Sequence, residues 1–280
     1  MTKGIVVVAQ NNSTTDYVQQ ACLLAMSLSI TNPDTRISIV TNDIVPEEYQ
    51  TLFDQIIPIP WTDSAKKSSW KIENRWKVYH VTPYDETIVL DTDMIILQDL
   101  SNWWKYLENY PMFFTTNVQT YRGDTVTSNY YRKTFIANDL PNIYTGFYYF
   151  KKNDTSLKFF EWLELIVKNW ELFYGKFCPE EYPKRVSIDV SAAIAIKIMG
   201  IEKYITNSKA KYPSFTHMKP AAQNWYDTPE KWTSKIETYV NTDCEIKIGN
   251  YQQSGIFHYT EDDFVDDSII AKYKDKCNVE

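Results

Sequence analysis

The run Thr87-Ile-Val-Leu90 leads directly into Asp91-Thr92-Asp93, and this junction constrains the fold more than any other segment. A short apolar, β-branched run reads as a buried strand. Side chains at i and i+2 of an extended chain point to the same side. The two carboxylates therefore converge at the end of that strand. Two converging carboxylates are costly unless something positive sits between them. A hard divalent ion with oxygen ligands fills that role, and such an ion can bridge a diphosphate. An Asp-x-Asp triplet alone is a weak signal, so its surroundings decide how to read it.

The residues ahead of the triplet read as alternating strands and helices. Ile5–Ala9 is a strand, Asn11–Asp16 a polar loop, and Tyr17–Ile30 a helix with Tyr17, Ala21, Leu24 and Leu28 on one face. Ile37–Val40 is a second strand, Glu47–Phe53 a short helix and Gln55–Pro60 a third strand. This β-α-β-α-β opening is a Rossmann-like half, whose ligands lie at the carboxyl ends of its strands. Lys71–Val81 reads as a helix ended by Pro83.

After the triplet come apolar Met94–Leu97, a short helix at Leu100–Leu107 and strands at Met112–Thr116 and Asn142–Phe150. Thr155–Lys168 and Asp189–Met199 are helical, and Asn117–Asn138 is a long Tyr-rich loop or helix-containing lid. From Thr206 the chain alternates loops and short strands, including Ser254–Tyr259. The expected architecture is a single α/β domain, a Rossmann-like nucleotide-binding half fused to a mixed sheet over residues 1–205. A C-terminal extension at 206–280 is expected to complete the active site.

Composition narrows the function. A net charge of −7 disfavours a nucleic-acid partner or acceptor, since no basic stripe accompanies it. The pairs Lys66–Lys67 and Lys151–Lys152 read as solvated surface. The cysteines, Cys22, Cys178, Cys244 and Cys277, show no C-x-x-C spacing, so neither a zinc knuckle nor a redox motif is indicated. Scattered free thiols and an N-terminal MTKGIVVVAQ without signal or membrane-spanning pattern lead to an expected cytoplasmic location. On that expectation the sequons at Asn12 and Asn153 are chance matches. The aromatic fraction of 15% includes 21 Tyr and 9 Trp, which suit carbohydrate faces as well as a core.

Taken in order, these segments resemble the glycosyltransferase A-type (GT-A) fold, and within it the family 8 group that includes glycogenin and bacterial lipopolysaccharide hexosyltransferases. The matching motifs are Tyr17 followed by Ser27-Leu28, Arg75 ahead of Tyr84-Asp-Glu-Thr-Ile-Val-Leu-Asp91-Thr-Asp93, then Thr145-Gly146 and Ser187-Ile-Asp189. The resemblance implies that Tyr17 stacks on a uracil ring, and that Ala9, Gln10 and Asn11 contact base and ribose. It implies a basic donor contact at Arg75, with Lys71 and Lys77 as competitors, and close approach of the donor at Thr92 and Gly146. It implies a carboxylate near the reacting centre at Asp189. It also implies a late histidine as third metal ligand beside Asp91 and Asp93. His258 in Ile256-Phe-His-Tyr259 fits, and His217 competes. Imidazole is compatible with manganese, and magnesium is the alternative ion.

The chain departs from the family at Tyr144, where Asn is usual, and at Val190, where Gln or Glu is usual; Ser191 is a possible substitute for that group. It also lacks the glycine-lysine pair after the late histidine, for which Lys219 or Lys272 could supply a cation. The implied activity is metal-dependent hexosyl or pentosyl transfer from a nucleotide-sugar, a UDP-sugar first, to a glycan or other hydroxyl acceptor, with retention. The loop Asn117–Asn138 and the segment Trp225–Trp232 are where the acceptor is expected. Two other readings stay open at this point. One is a haloacid-dehalogenase-like phosphatase with Asp91 as nucleophile. It expects Thr or Val where Ile95 stands, and a motif near the start of the fold. The other is a non-catalytic sugar-binding protein.

Overall fold

The computed structural model describes residues 1–126, 132–179, 185–218 and 231–279. Its main sheet contains β1 (Lys3–Val8), β2 (Ile37–Val40), β3 (Gln55–Ile57), β4 (Glu86–Leu90), β6 (Met112–Thr115) and β7 (Tyr144–Lys151), in the order β3-β2-β1-β4-β7-β6. The first four of these run parallel, while β7 lies antiparallel to both β4 and β6. This is the expected mixed sheet grown on a Rossmann-like half.

Both faces of the sheet are covered at β1, β2 and β4, which explains why these strands are mostly apolar rather than alternating. Ile5 and Val7 of β1 face a core shared with the helix Tyr17–Thr31. Val6 faces the opposite core, shared with the helices Asp154–Lys168 and Ile188–Met199. The caps follow the local sequence. Asp16 accepts from the Gln19 amide, Asn153 forms a capping box with Ser156, and Ser187 accepts from the Val190 amide.

A second sheet joins β5 (Met94–Ile96), β12 (Ile256–His258) and β8 (Thr216–His217) in the order β5-β12-β8. In it β12 is antiparallel to β5 and parallel to β8. Three further short strands, β9 (Thr238–Val240), β10 (Ile246–Ile248) and β11 (Tyr251–Gln252), form an antiparallel sheet of their own. The final helix, Asp267–Cys277, packs on the first, Tyr17–Thr31.

Several elements differ from expectation. Lys71–Val81 is not one helix: Lys71 holds φ 56, and only a 3₁₀ turn at Arg75–Lys77 and one α-turn at Val78–Val81 form. The cause is local. The Asn74 side chain donates to Gln10 and Asp63 and accepts from the Ser64 amide, which pins the segment in turns. The helices Trp170–Phe177 and Asp267–Cys277 are additional to the elements read from sequence. Within Asn117–Asn138 the chain makes bridges from Gln119 to Thr125 and Thr216, then a short helix at Lys133–Ala137; residues 127–131 lie outside the described set. Among the described residues, no helix is long and apolar enough to cross a membrane.

Candidate functional site

The strand order reverses direction between β1 and β4, because β1 is followed by β2 on one side while β4 flanks it on the other. Open α/β sheets bind ligands at such a switch point, outside the carboxyl ends of the strands. Ala9, Gln10 and Asn11 follow β1 there, and Asp91 follows β4.

The chain bends between β4 and β5, and side-chain alternation persists through the bend. Thr92 turns inward, is 2% exposed, and donates its hydroxyl to Gln20 Oε1 at 2.9 Å. Asp91 and Asp93 turn the other way. His258 reaches them because β12 pairs with β5, placing His258 opposite Met94. Its Nε2 lies 2.9 Å from Asp93 Oδ2 and 4.0 Å from Asp91 Oδ2. One ligand atom from each of Asp91, Asp93 and His258 lies within 4.8 Å of the others.

Burial opposes the Asp93 charge, yet His258, with help from Arg75, holds its carboxyl below the usual range. Two carboxylates and one imidazole, packed this closely and partly exposed, are a donor set that fits a divalent ion such as manganese or magnesium. His217, the competing ligand, lies beside His258 in the next strand. Their rings stack with centroids 4.6 Å apart and planes 12° from parallel.

Arg75 pairs with Asp91 Oδ1. Burial works against the guanidinium charge, but Asp91, Tyr148 and Asp93 together raise its pKa. Its sequence competitors are engaged elsewhere. Lys77 Nζ donates to the carbonyls of Pro60 and Thr62, and Lys71 Nζ to those of Ala65 and Lys66. Lys272 Nζ donates to the Val240 carbonyl, and Lys219 lies outside the described residues.

Gly146 faces Asp91 across the β4–β7 ladder, where its carbonyl accepts from the Asp91 amide at 3.1 Å. A Cβ at Gly146 would sit 3.0 Å from the Met94 methyl and 3.1 Å from Asp91 Oδ2. A larger residue there would press on the Asp91 carboxylate and make it shift by a few tenths of an ångström.

Around the end of β1, the Gln10 amide bridges Asp63 and Asn74. The Asn11 side chain accepts from the Val18 amide, while its own backbone N–H donates to Asp43. Ala9 is fully buried, and its amide donates to Val40. Tyr17 opens the first helix. Burial raises its pKa, reinforced by Asp93 and Asp262.

Asp189 forms a separate centre. Its Oδ1 accepts from the Thr145 amide at 2.9 Å and from the Thr145 hydroxyl, and its Oδ2 accepts from Arg132 at 2.8 Å. Burial opposes the charge, but Arg132 and Thr145 hold the carboxyl below its ordinary range. Thr145 precedes Gly146, so this centre is one residue removed from the Asp91 ladder. Tyr144, 4% exposed, stacks its ring 4.2 Å under the Arg132 guanidinium. Val190 and Ser191 are buried in the helix, so neither presents a polar group to a ligand at the surface.

Sequence reasoning missed Arg132. It sits in a polar stretch with no periodicity and no motif. An aspartate opening an apolar helix, as Asp189 does, was the available hint, since a largely buried acid requires a partner. The segment 225–230 of the proposed acceptor region lies outside the described residues. Trp232 is buried and donates to the Tyr259 carbonyl, so it braces the strand end that carries His258.

No protein-family model matches the chain, and no curated protein sequence matches it either. The fold, however, is that of GT-A-type glycosyltransferases of known structure. Glycosyltransferase GlyE of Streptococcus pneumoniae TIGR4 is similar over 99% of this chain, at 14% identity and a TM-score of 0.52. The chain spans 63% of that protein's length. Mouse xyloside xylosyltransferase 1 in its apo form is similar over 92% of this chain and 97% of its own, at 10% identity and a TM-score of 0.52.

Proposed function

We propose that this chain is a metal-dependent glycosyltransferase, similar to family 8, that moves a hexosyl or pentosyl group from a UDP-sugar to a hydroxyl acceptor with retention of configuration. One observation carries the reading: Asp91, Asp93 and His258 converge at the switch point, beside the loop that follows β1. Asp91, Asp93 and His258 would hold manganese or magnesium. Bound there, the ion would neutralise charge on the departing nucleoside diphosphate.

The chain's own residues do the rest. Tyr17 offers a ring for the base, while Ala9, Gln10 and Asn11 shape the base and ribose contacts. Arg75, fixed by Asp91, supplies positive charge beside the phosphates. Gly146 and the backbone of Thr92 leave room for close approach of the donor. Arg132 keeps Asp189 anionic, which suits it to accept hydrogen bonds from sugar hydroxyls and orient them rather than to remove a proton. The C-terminal extension belongs to the site through His258. The aromatic content and the net charge of −7 favour a glycan acceptor over nucleic acid.

The phosphatase alternative weakens, because Arg75 occupies the carboxylate that would have to act as nucleophile. The non-catalytic alternative would give a site that binds but never turns over. Thermal denaturation with UDP and manganese, with GDP and manganese, and with EDTA separates these readings, since a site ligand raises stability by mass action. Stabilisation by UDP that requires manganese, together with release of UDP from a UDP-sugar, is expected. Absence of any shift with every nucleoside diphosphate and metal pair tried would remove the proposal.

A further inference from the structure

Beyond β5 the chain leaves the carboxylate pair and enters the helix Ser101–Leu107. A cleft of about 700 Å³ opens here between that helix and the segment around Tyr212. Gln98, the first residue of its wall, lies five positions past Asp93, at most about 17 Å away along an extended chain.

The lining is unusual for a surface depression. Tyr212, 50% exposed, meets Tyr106 edge-on at 5.6 Å between ring centroids. The Tyr106 hydroxyl is fixed by Tyr110 and by the Asn207 amide, so the aromatic corner is held from behind. Asn102 and Tyr106 sit one helical turn apart on the same helix face. Among the described residues, the Gln98 and Asn102 amides and the Lys105 ammonium make no side-chain hydrogen bond. The wall carries one acid, Asp99, and one base, Lys105, so it is neutral overall.

These features select a ligand class. A phosphate or nucleotide requires several cations or a cluster of amide donors, and Lys105 stands alone. A lipid requires a continuous exposed apolar face, and here Gln98, Asp99, Asn102, Lys105 and Asn109 interrupt it. One exposed ring, Tyr212, braced by the half-buried Tyr106 and set beside unspent amides, matches a molecule that presents C–H faces and hydroxyls together, which is a saccharide.

We propose that this cleft is a second, non-catalytic binding site for an uncharged oligosaccharide. The ligand class is argued from the cleft's own lining; only its role, holding the far end of a long acceptor, rests on the transferase reading above.

The test is binding of the full chain to an array of neutral and acidic oligosaccharides in EDTA, with affinities of the bound glycans then measured by titration calorimetry. Neutral oligosaccharides should bind without metal or nucleotide. Tyr212→Ala should weaken that binding about tenfold, the range of an interface anchor. Asn102→Ala should weaken it less, and both sites are exposed enough to leave the fold intact. Asp93→Asn should bind the same glycans as wild type, which separates this site from failure of the transferase reading. Binding of no glycan in EDTA, or binding unaffected by both Tyr212→Ala and Asn102→Ala, overturns the proposal. Preference for acidic glycans alone also overturns it.

Discussion

Two carboxylate centres lie a few residues apart across the same sheet, and they are built on opposite principles. At the first, Asp91 and Asp93 crowd each other and His258, with Arg75 paired to Asp91 as the permanent positive charge beside them among the described residues. At the second, Asp189 has its oxygens satisfied by Arg132 and by the Thr145 backbone and hydroxyl. Exposure does not distinguish them, since the side chains of Asp91, Asp93 and Asp189 are 19%, 21% and 25% accessible. Their neighbours do. Two carboxylates and an imidazole around one point leave lone pairs converging on a space that a cation can fill. A carboxylate whose charge is already answered by an arginine and whose oxygens hold three hydrogen bonds draws no further cation, and is left to orient its neighbours. The lesson is that a buried acid's role is written in the count of its partners rather than in its burial.

The largest effect should come from breaking the first centre. Asp93→Asn removes one charge and one metal ligand, so transfer should fall by about 10³-fold or more, equivalent to ~4 kcal/mol of transition-state stabilisation. The fold should persist, since asparagine has the same shape, keeps a partner for His258 and sits where the side chain is 21% accessible. Circular dichroism together with UDP release under manganese checks both halves. Turnover within a few-fold of wild type would mean that the converging carboxylates do not hold the ion.

Breaking the second centre should cost stability first. Arg132→Met leaves the Asp189 charge without its ion-pair partner, with only Thr145 still donating to it, and should destabilise by about 3 kcal/mol in urea at pH 7. The pH dependence follows from the depressed Asp189 pKa. A carboxyl whose folded pKa lies below its unfolded value near ~3.9 contributes stability above that unfolded value and loses it as pH falls through the folded one. The gap between wild type and Arg132→Met should therefore be widest near neutrality and close in strong acid. A gap that is constant from pH 7 to pH 2 would show that the pair contributes packing rather than charge.

How much of this was legible beforehand depended on the range of the interactions. The strands β1, β2 and β4 are runs buried on both faces, and their composition alone marks them. The convergence of Asp91 with Asp93 follows from a two-residue period, which is local. His258 was suggested only by order along the chain. Nothing in residues 206–280 states that β12 will pair with β5 in the register that sets His258 opposite Met94. Arg132 was invisible for the same reason: it meets Asp189 across 57 positions of sequence. The overlong helix at Lys71–Val81 erred because helical periodicity ignores side-chain competition, and the Asn74 amide outbids the backbone there.

Smaller effects probe the seam between the two centres. Gly146→Ala would press a methyl onto Asp91 Oδ2 and the Met94 methyl, each about 0.3–0.5 Å inside comfortable contact. Since Asp91 must turn to relieve it, manganese affinity should drop about tenfold, as for other changes just outside a ligand set. Manganese-dependent stabilisation by UDP reads this directly. An unchanged manganese titration would show that Asp91 has slack, and that the carboxylates are less tightly arranged than their packing implies.

Thr92 offers the finest cut, because it sits between the two ligands yet faces away from them. Its hydroxyl donates to Gln20, whose own amide donates to Asp262 at 2.9 Å, and Asp262 also accepts from Thr15. Thr92→Val keeps the shape and removes the donor, leaving the Gln20 carbonyl unpartnered in a buried setting. Stability should fall by about 1 kcal/mol, while UDP and manganese affinities stay within about twofold of wild type. The reverse pattern, intact stability with affinity lost more than tenfold, would place the Thr92 hydroxyl on the donor. It would also break the alternation that sets Asp91 and Asp93 on one side of the chain, and with it the reason for expecting an ion between them.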